Sequence, residues 1–119
     1  MKYEIIHTNE FAAKARKVRL TLEDLREIEN EIVADPEAWP VMAGTGGLRK
    51  MRFSPSRMST GKSGGVRVCY FVIDGLGHLW LVTLFAKNEK DNISPAERNA
   101  ISRFIAAIKK QARDSKTER

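Results

Sequence analysis

The sequence has few residues of the kinds that cross-link chains or bind metal ions. Its 119 residues include one cysteine, Cys69, and two histidines. A single cysteine cannot form an internal disulfide, and no cluster of Cys and His has the spacing of a metal site. These absences exclude a disulfide-stapled secreted domain and a zinc module, and they favour a reducing compartment. We therefore expect a cytoplasmic protein with no cofactor and no metal.

Long apolar runs are also absent. No stretch approaches the roughly 20 apolar residues that a membrane span needs, and the N-terminus does not resemble a signal peptide. The length suits one domain over residues 1–119, with no repeat, low-complexity block or linker. Residues 114–119 are polar enough to fray. We expect a single domain with no membrane partner.

Acidic residues are missing from one long stretch. Between Ala38 and Ile73 there is no Asp or Glu, although residues 1–40 carry 9 acidic residues against 6 Lys and Arg. Unbalanced positive charge is typical of a surface that binds a polyanion. Because the cations do not lie on an amphipathic helix, nucleic acid is a better partner than an anionic membrane. The cations of this stretch are Arg49, Lys50, Arg52, Arg57, Lys62 and Arg67.

The hydrophobic period of the first 40 residues predicts one strand and two helices. Residues 3–5 alternate like a short strand, and Thr8 or Asn9 then caps a helix. Thr21, with Asp24 three residues later, forms a capping-box pattern in which Asp replaces the usual Glu or Gln. The helix that follows has apolar residues at three- and four-residue spacing, so it should bury one face.

From residue 48 the apolar residues recur at every second position, which is typical of β-strands. Strands are predicted over 48–53, 66–73 and 78–85, with a turn at 74–77. A Ser-Pro-Ala-Glu start at 94–97 then predicts a final helix to about Gln111. The order β-α-α-β-β-β-α predicts an α+β domain, with helices packed on a largely antiparallel sheet.

Strand alternation predicts which cations share a face. Lys50 and Arg52 should project on one side of their strand, with Arg49 on the other. Arg67 lies among apolar residues of the next strand, where a cation is costly unless it faces a groove. Lys87 and Lys90 follow the last strand. If the strands are neighbours, one concave surface gathers Lys50, Arg52, Arg67, Lys87 and Lys90.

Such a cluster suits chemistry on RNA. Arginine can bind a scissile phosphate bidentately and stabilise the charge that develops on it. A lysine crowded by other cations loses its proton more readily and can act as a base, and a further cation can assist the leaving oxygen. These groups suit attack of a ribose 2′-hydroxyl on the adjacent phosphate, which requires no metal. The same cations also suit a surface that only binds phosphates.

Four segments together resemble the HigB branch of the RelE/ParE toxins. The resemblance covers roughly residues 40–110 by motif and the whole chain by element order. It is specific in combination, since each piece alone would be weak. The segments are GTGGLRKMR at 44–52, GKSGGVRVCY at 61–70, AKNEK at 86–90 and SPAER at 94–98.

The resemblance implies a RelE-like microbial RNase fold and the toxin of a bacterial toxin–antitoxin pair. Such a toxin is an endoribonuclease that cleaves mRNA in the ribosomal A site and inhibits translation. A cognate antitoxin, of helix-turn-helix type in this branch, would bind and neutralise it. By position the resemblance assigns catalysis to Lys50, Arg52, Arg67, Lys87 and Lys90. We expect the remaining cations Arg49, Arg57 and Lys62 to bind RNA or the ribosome.

Other readings of the same residues stay open. The chain has no obvious tyrosine near the end of the last basic segment, so the general base is either Lys50 or Lys87. A ParE-like DNA gyrase poison would share the fold without nuclease activity, and a non-catalytic RNA-binding module would share the cations. We expect His7 and His78 to be structural or exposed, and Cys69 and Trp80 to be core. Trp39, between two prolines, is equally suited to packing and to partner contact.

Overall fold

Seven elements follow one another in the predicted order. This computed structural model describes residues 2–58, 65–87 and 93–117. The α+β class and the β-α-α-β-β-β-α order are confirmed. The elements are β1 Glu4–His7, α1 Asn9–Lys17, α2 Leu22–Ala34, β2 Arg49–Phe53, β3 Val66–Ile73, β4 His78–Ala86 and α3 Pro95–Thr117.

The predicted end of the last helix at Gln111 is wrong. Helix α3 continues to Thr117, and its Ala112 lines a cavity together with Ile73 and Leu76 near the β3–β4 turn. Asp114, at the start of the predicted polar tail, lies inside this helix and accepts a 3.0 Å hydrogen bond from Lys110. Within residues 2–58, 65–87 and 93–117, no helix has both the length and the apolar character that a membrane crossing requires.

The four strands form one sheet in the order β1-β4-β3-β2. Strand β1 is parallel to β4, whereas β3 is antiparallel to both β4 and β2. The register sets Arg52 directly opposite Arg67, and Arg67 opposite Phe85 on the next strand. The largely antiparallel sheet is therefore confirmed, and two of the predicted site cations are direct cross-strand neighbours.

Both N-terminal helices begin at the predicted caps. The Thr8 hydroxyl accepts from the backbone N–H of Phe11 at 3.0 Å and donates to the carbonyl of Val82 at 2.6 Å, which ties α1 to β4. At α2, Thr21 and Asp24 exchange backbone-to-side-chain hydrogen bonds of 2.8 and 3.1 Å, a complete capping box. These contacts satisfy N–H groups that the first helical turn leaves without partners.

The sheet separates two apolar clusters. Helices α1 and α2 cover one face, where Phe11, Ile28 and Met51 are fully buried. Helix α3 covers part of the other face through Ile105 and its neighbours, and Cys69 is buried there. By strand alternation, Lys50, Arg52 and Arg67 also belong to the face that α3 partly covers. The basic residues therefore lie beside a packed helix, which holds their strands in place.

Aromatic stacking joins α3 to the sheet. Phe71 and Trp80 lie with ring centroids 5.8 Å apart and planes 5° apart. Phe104 of α3 meets the Trp80 ring edge-on at 5.7 Å. Offset and edge-to-face pairs of this kind add to the free energy of apolar burial. Cys69 is buried in this cluster and the partly buried Trp80 packs against it, so the predicted core position of Cys69 and the predicted packing role of Trp80 are confirmed.

Candidate functional site

Four predicted site cations converge at one end of the sheet. Lys50 and Arg52 alternate along β2, and Arg67 lies opposite Arg52 on β3. Lys87 follows β4 directly, and its backbone N–H donates to the Gly65 carbonyl at 3.2 Å, which keeps it beside the start of β3. We call Lys50, Arg52, Arg67 and Lys87 the cationic cluster.

Two neighbouring cavities open on the cationic cluster. One, of about 230 Å³, is lined by Arg52, Arg67 and Lys87 together with Phe53, Ser54 and Gly65. The other, of about 380 Å³, is lined by Lys50, Arg52 and Arg67 together with Trp39 and Pro40. Across the ranges that the structure describes, no carboxylate lines either cavity. Arg52 and Arg67 therefore line both cavities, whereas Lys50 lines only the larger cavity and Lys87 only the smaller one.

The register places two like charges, Arg52 and Arg67, directly opposite each other on neighbouring strands. Like charges directly opposite each other on neighbouring strands destabilise a sheet. Arg67 is half-buried and Arg52 is exposed, so water screens the two guanidinium groups unequally. An anion between them would remove the repulsion and accept charge-assisted hydrogen bonds from both. A phosphate bound between these two strands would therefore be stabilised by both arginines.

Two of the predicted RNA-contacting arginines do not join the cluster. Arg49 projects from the other face of β2, and its guanidinium donates to the carbonyls of Trp39 at 2.6 Å and Glu37 at 3.4 Å. Arg57 binds Asp24 through its Nε and Nη2, with a shortest distance of 2.8 Å. In this structure both side chains hold loops to the body of the protein. Lys62 and Lys90 lie outside the described residues.

Asp24 is the buried partner that explains the position of Arg57. Its side chain is 1% exposed, whereas that of Arg57 is 49% exposed. Hydrogen bonds from Arg57 hold the pKa of the Asp24 carboxyl below its usual range, against the opposing effect of burial. Nearby, Ser56 donates to Glu27 through its backbone N–H at 3.0 Å and its hydroxyl at 2.6 Å. The chain that leaves β2 is therefore fixed on α2.

Replacing this carboxylate should destabilise the fold in a pH-dependent way. At pH 7, Asp24→Asn should lower the free energy of unfolding by about 1–3 kcal/mol, because it removes a charged acceptor of several hydrogen bonds. A carboxyl whose pKa is depressed in the folded state contributes stability above its unfolded pKa, about 4, and loses it as the pH falls through the folded pKa. The difference between wild type and variant should therefore shrink at pH 3.

Urea denaturation of both proteins at pH 7 and pH 3 measures this effect. Glu23→Gln is the matched control, because Glu23 is 77% exposed on the same helical turn and should change stability by less than about 0.5 kcal/mol. Equal unfolding curves for wild type and Asp24→Asn at pH 7 would show that the Arg57 contact contributes nothing.

Tyr70 and the histidines do not supply a base at the cluster. The Tyr70 hydroxyl donates to the Pro36 carbonyl at 2.8 Å, and burial raises its pKa to about 12. His7 lies on β1, at the opposite sheet edge from β2, and its Nε2 is 3.1 Å from a Glu29 carboxylate oxygen. His78 begins β4, at the far end from Lys87. Within the described ranges, no group of three or more His, Cys, Asp or Glu is placed to hold a metal ion.

Trp39 is the site residue that the sequence left undecided. Its ring lines the larger cavity, with the guanidinium carbon of Arg52 5.8 Å from the ring centroid. It also packs at the edge of the cluster that α1 and α2 cover. The signal in the sequence was an aromatic residue between two prolines, next to the stretch without acidic residues. The contact between the Trp39 ring and Arg52 could be identified only from the tertiary structure.

The architecture defines a RelE-like fold, as comparison with solved structures shows. A mutant of the E. coli toxin RelE in the free state matches with a TM-score of 0.52 and 19% identity, over 76% of this chain and 88% of that chain. RelE crystallised alone matches with a TM-score of 0.50 and 21% identity, over 86% and 98% of the two chains. The E. coli RelBE toxin–antitoxin complex matches with a TM-score of 0.52 and 20% identity, over 71% and 95%.

No protein-family model matches the chain. At identities of 19–21% the structural likeness establishes the fold, and the activity has to be argued from this chain's own residues.

Proposed function

We propose that this protein is the toxin of a bacterial toxin–antitoxin system and acts as a metal-independent endoribonuclease. It cleaves mRNA in the ribosomal A site and so inhibits translation. The observation that carries the proposal is the Arg52–Arg67 pair on an open sheet face, flanked by Lys50 and Lys87. The resemblance of four sequence segments to HigB toxins and the RelE-like fold support it.

The proposed reaction is an in-line displacement at phosphorus. Attack by the 2′-oxygen forms a new P–O bond while the bond from phosphorus to the 5′-oxygen breaks on the opposite side. Arg52 and Arg67 would bind the non-bridging oxygens and stabilise their growing charge. Lys50 lines one of the two cavities that share this pair and Lys87 lines the other, so one lysine is proposed to serve the attacking oxygen and the other the leaving oxygen.

The proton balance assigns two roles to the lysines. One lysine accepts the proton of the 2′-hydroxyl as general base, and a cation on the other side supplies a proton to the leaving 5′-oxygen. The products are a 2′,3′-cyclic phosphate and a 5′-hydroxyl. Lys50 and Lys87 are the two candidates for the base, and Lys90 belongs to the proposed set through the sequence resemblance.

The proposed partners follow from the same chemistry. Translating ribosomes and mRNA present phosphates to the cationic cluster, and Lys62 is proposed to contact ribosomal RNA. A cognate antitoxin, proposed to be of helix-turn-helix type, would hold the toxin inactive in the cytoplasm. The likeness to a toxin that was crystallised with its antitoxin supports such a partner.

The test is primer extension on mRNA from a reconstituted bacterial translation system. The proposal predicts discrete cuts within the translated region when ribosomes are present and none when ribosomes are omitted. Intact mRNA with normal translation would contradict it, and inhibition of DNA supercoiling by gyrase would then favour a gyrase poison. Salt-sensitive RNA binding without any cut would favour a non-catalytic RNA-binding module.

A further inference from the structure

The larger cavity combines cations with a half-buried aromatic ring. Trp39 and Pro40 form one wall, opposite Lys50, Arg52 and Arg67. We propose that Trp39 is a base-stacking residue: a nucleobase of single-stranded RNA lies against its indole ring while the cationic cluster holds the neighbouring phosphate. This inference rests on the proposed function. It adds a contact to the base, whereas the cationic cluster contacts only the phosphate backbone.

The chain around Trp39 is fixed before any ligand binds. Arg49 donates to the Trp39 carbonyl at 2.6 Å, and Tyr70 donates to the Pro36 carbonyl at 2.8 Å. Pro36 and Pro40 restrict the backbone φ angle on either side of the ring. A ring held in this way loses little conformational entropy when a base stacks on it. The roles of Arg49 and Tyr70 are therefore to position the Trp39 segment.

The surroundings of the ring combine positive charge with an open cavity. Arg52 is 5.8 Å from the ring centroid, in the range of a cation–π contact, and it also faces the phosphate-binding cavity. The cavity volume of about 380 Å³ lies within the range of small-ligand sites. Aromatic rings beside a positive groove are the common means of binding single-stranded nucleic acid, because every base has a π-face.

Paired oligonucleotides separate stacking from phosphate binding. The probe is a short single-stranded RNA at low salt, compared with the same backbone carrying abasic sites. The wild-type protein should bind the base-bearing RNA more tightly by roughly 5- to 100-fold. Trp39→Leu, which keeps apolar packing but has no ring, should lose most of that preference while its affinity for abasic RNA is unchanged. Trp39→Phe should keep most of it.

Fluorescence gives a second readout that packing alone would not change. The chain has two tryptophans, and Trp80 is stacked on Phe71 in the core. RNA should quench the wild-type emission and leave the emission of Trp39→Phe, which reports Trp80, unchanged. A base preference that persists in Trp39→Leu would overturn the inference alone. Equal affinity of the wild type for both oligonucleotides, or binding of neither, would also overturn this inference, whereas the proposed function fails only if mRNA stays intact in the primer-extension assay.

Discussion

Arg67→Ala should lower the rate of mRNA cleavage by roughly 100- to 1,000-fold, the usual effect of removing one donor that stabilises transition-state charge. Arg67 lines both cavities and lies directly opposite Arg52, and among residues 2–58, 65–87 and 93–117 these two are the only arginines that line them. Arg67→Lys should lose most of the activity as well, because a lysine cannot bind the phosphate bidentately. The protein should stay folded, since the change relieves repulsion between two guanidinium groups.

The measurement is a single-turnover cleavage rate on ribosomes saturated with toxin, which separates chemistry from binding. Arg103→Ala is the matched control, because Arg103 is exposed on α3 and lines neither cavity. Its rate should stay within about twofold of wild type, and both variants should unfold at the wild-type urea concentration. Cleavage by Arg67→Ala at more than a tenth of the wild-type rate would remove Arg67 from the chemistry.

Phe71→Ala should lower the free energy of unfolding by about 3–5 kcal/mol, a large part of the stability of a domain of this size. Phe71 is 1% exposed and stacks on Trp80, and the Phe104 ring of α3 meets it edge-on at 6.4 Å. Its removal would leave a cavity between α3 and the sheet. That interface lies on the face that also carries the cationic cluster.

Urea denaturation measures the loss, with Phe71→Leu as the control that keeps most of the apolar volume. The leucine variant should lose clearly less stability than the alanine variant, because it leaves a smaller cavity. A loss below about 1 kcal/mol for Phe71→Ala would show that α3 does not pack on this part of the sheet.

The elements were predictable wherever local patterns determine them. Strand β3 has its predicted bounds, Val66–Ile73, because a turn sequence follows it and apolar residues fill it. The Thr21–Asp24 capping box formed as its spacing indicates. Alternation on β2 also separated Arg49 from Lys50 and Arg52, and the observed register is consistent with that separation. These features depend on residues within a few positions of one another.

The sequence could not show which cations have partners inside the fold. Arg57 meets Asp24 across 33 positions, and Arg49 meets the carbonyl of Trp39 across 10. Both arginines belong to the same stretch without Asp or Glu as Arg52 and Arg67. Composition therefore gives no reason to assign them a different role. Only tertiary contacts separate the arginines that hold loops from those that line the cavities.

The most direct test of the proposed chemistry is an mRNA with one 2′-deoxynucleotide at a mapped cut. If the 2′-hydroxyl is the nucleophile, the cut at that phosphate should disappear, because the attacking oxygen is absent, while cuts at all-ribose positions persist. Every remaining cut should carry a 2′,3′-cyclic phosphate and a 5′-hydroxyl. Cleavage at the deoxy position, or products with a 5′-phosphate, would contradict attack by the 2′-hydroxyl at the cationic cluster.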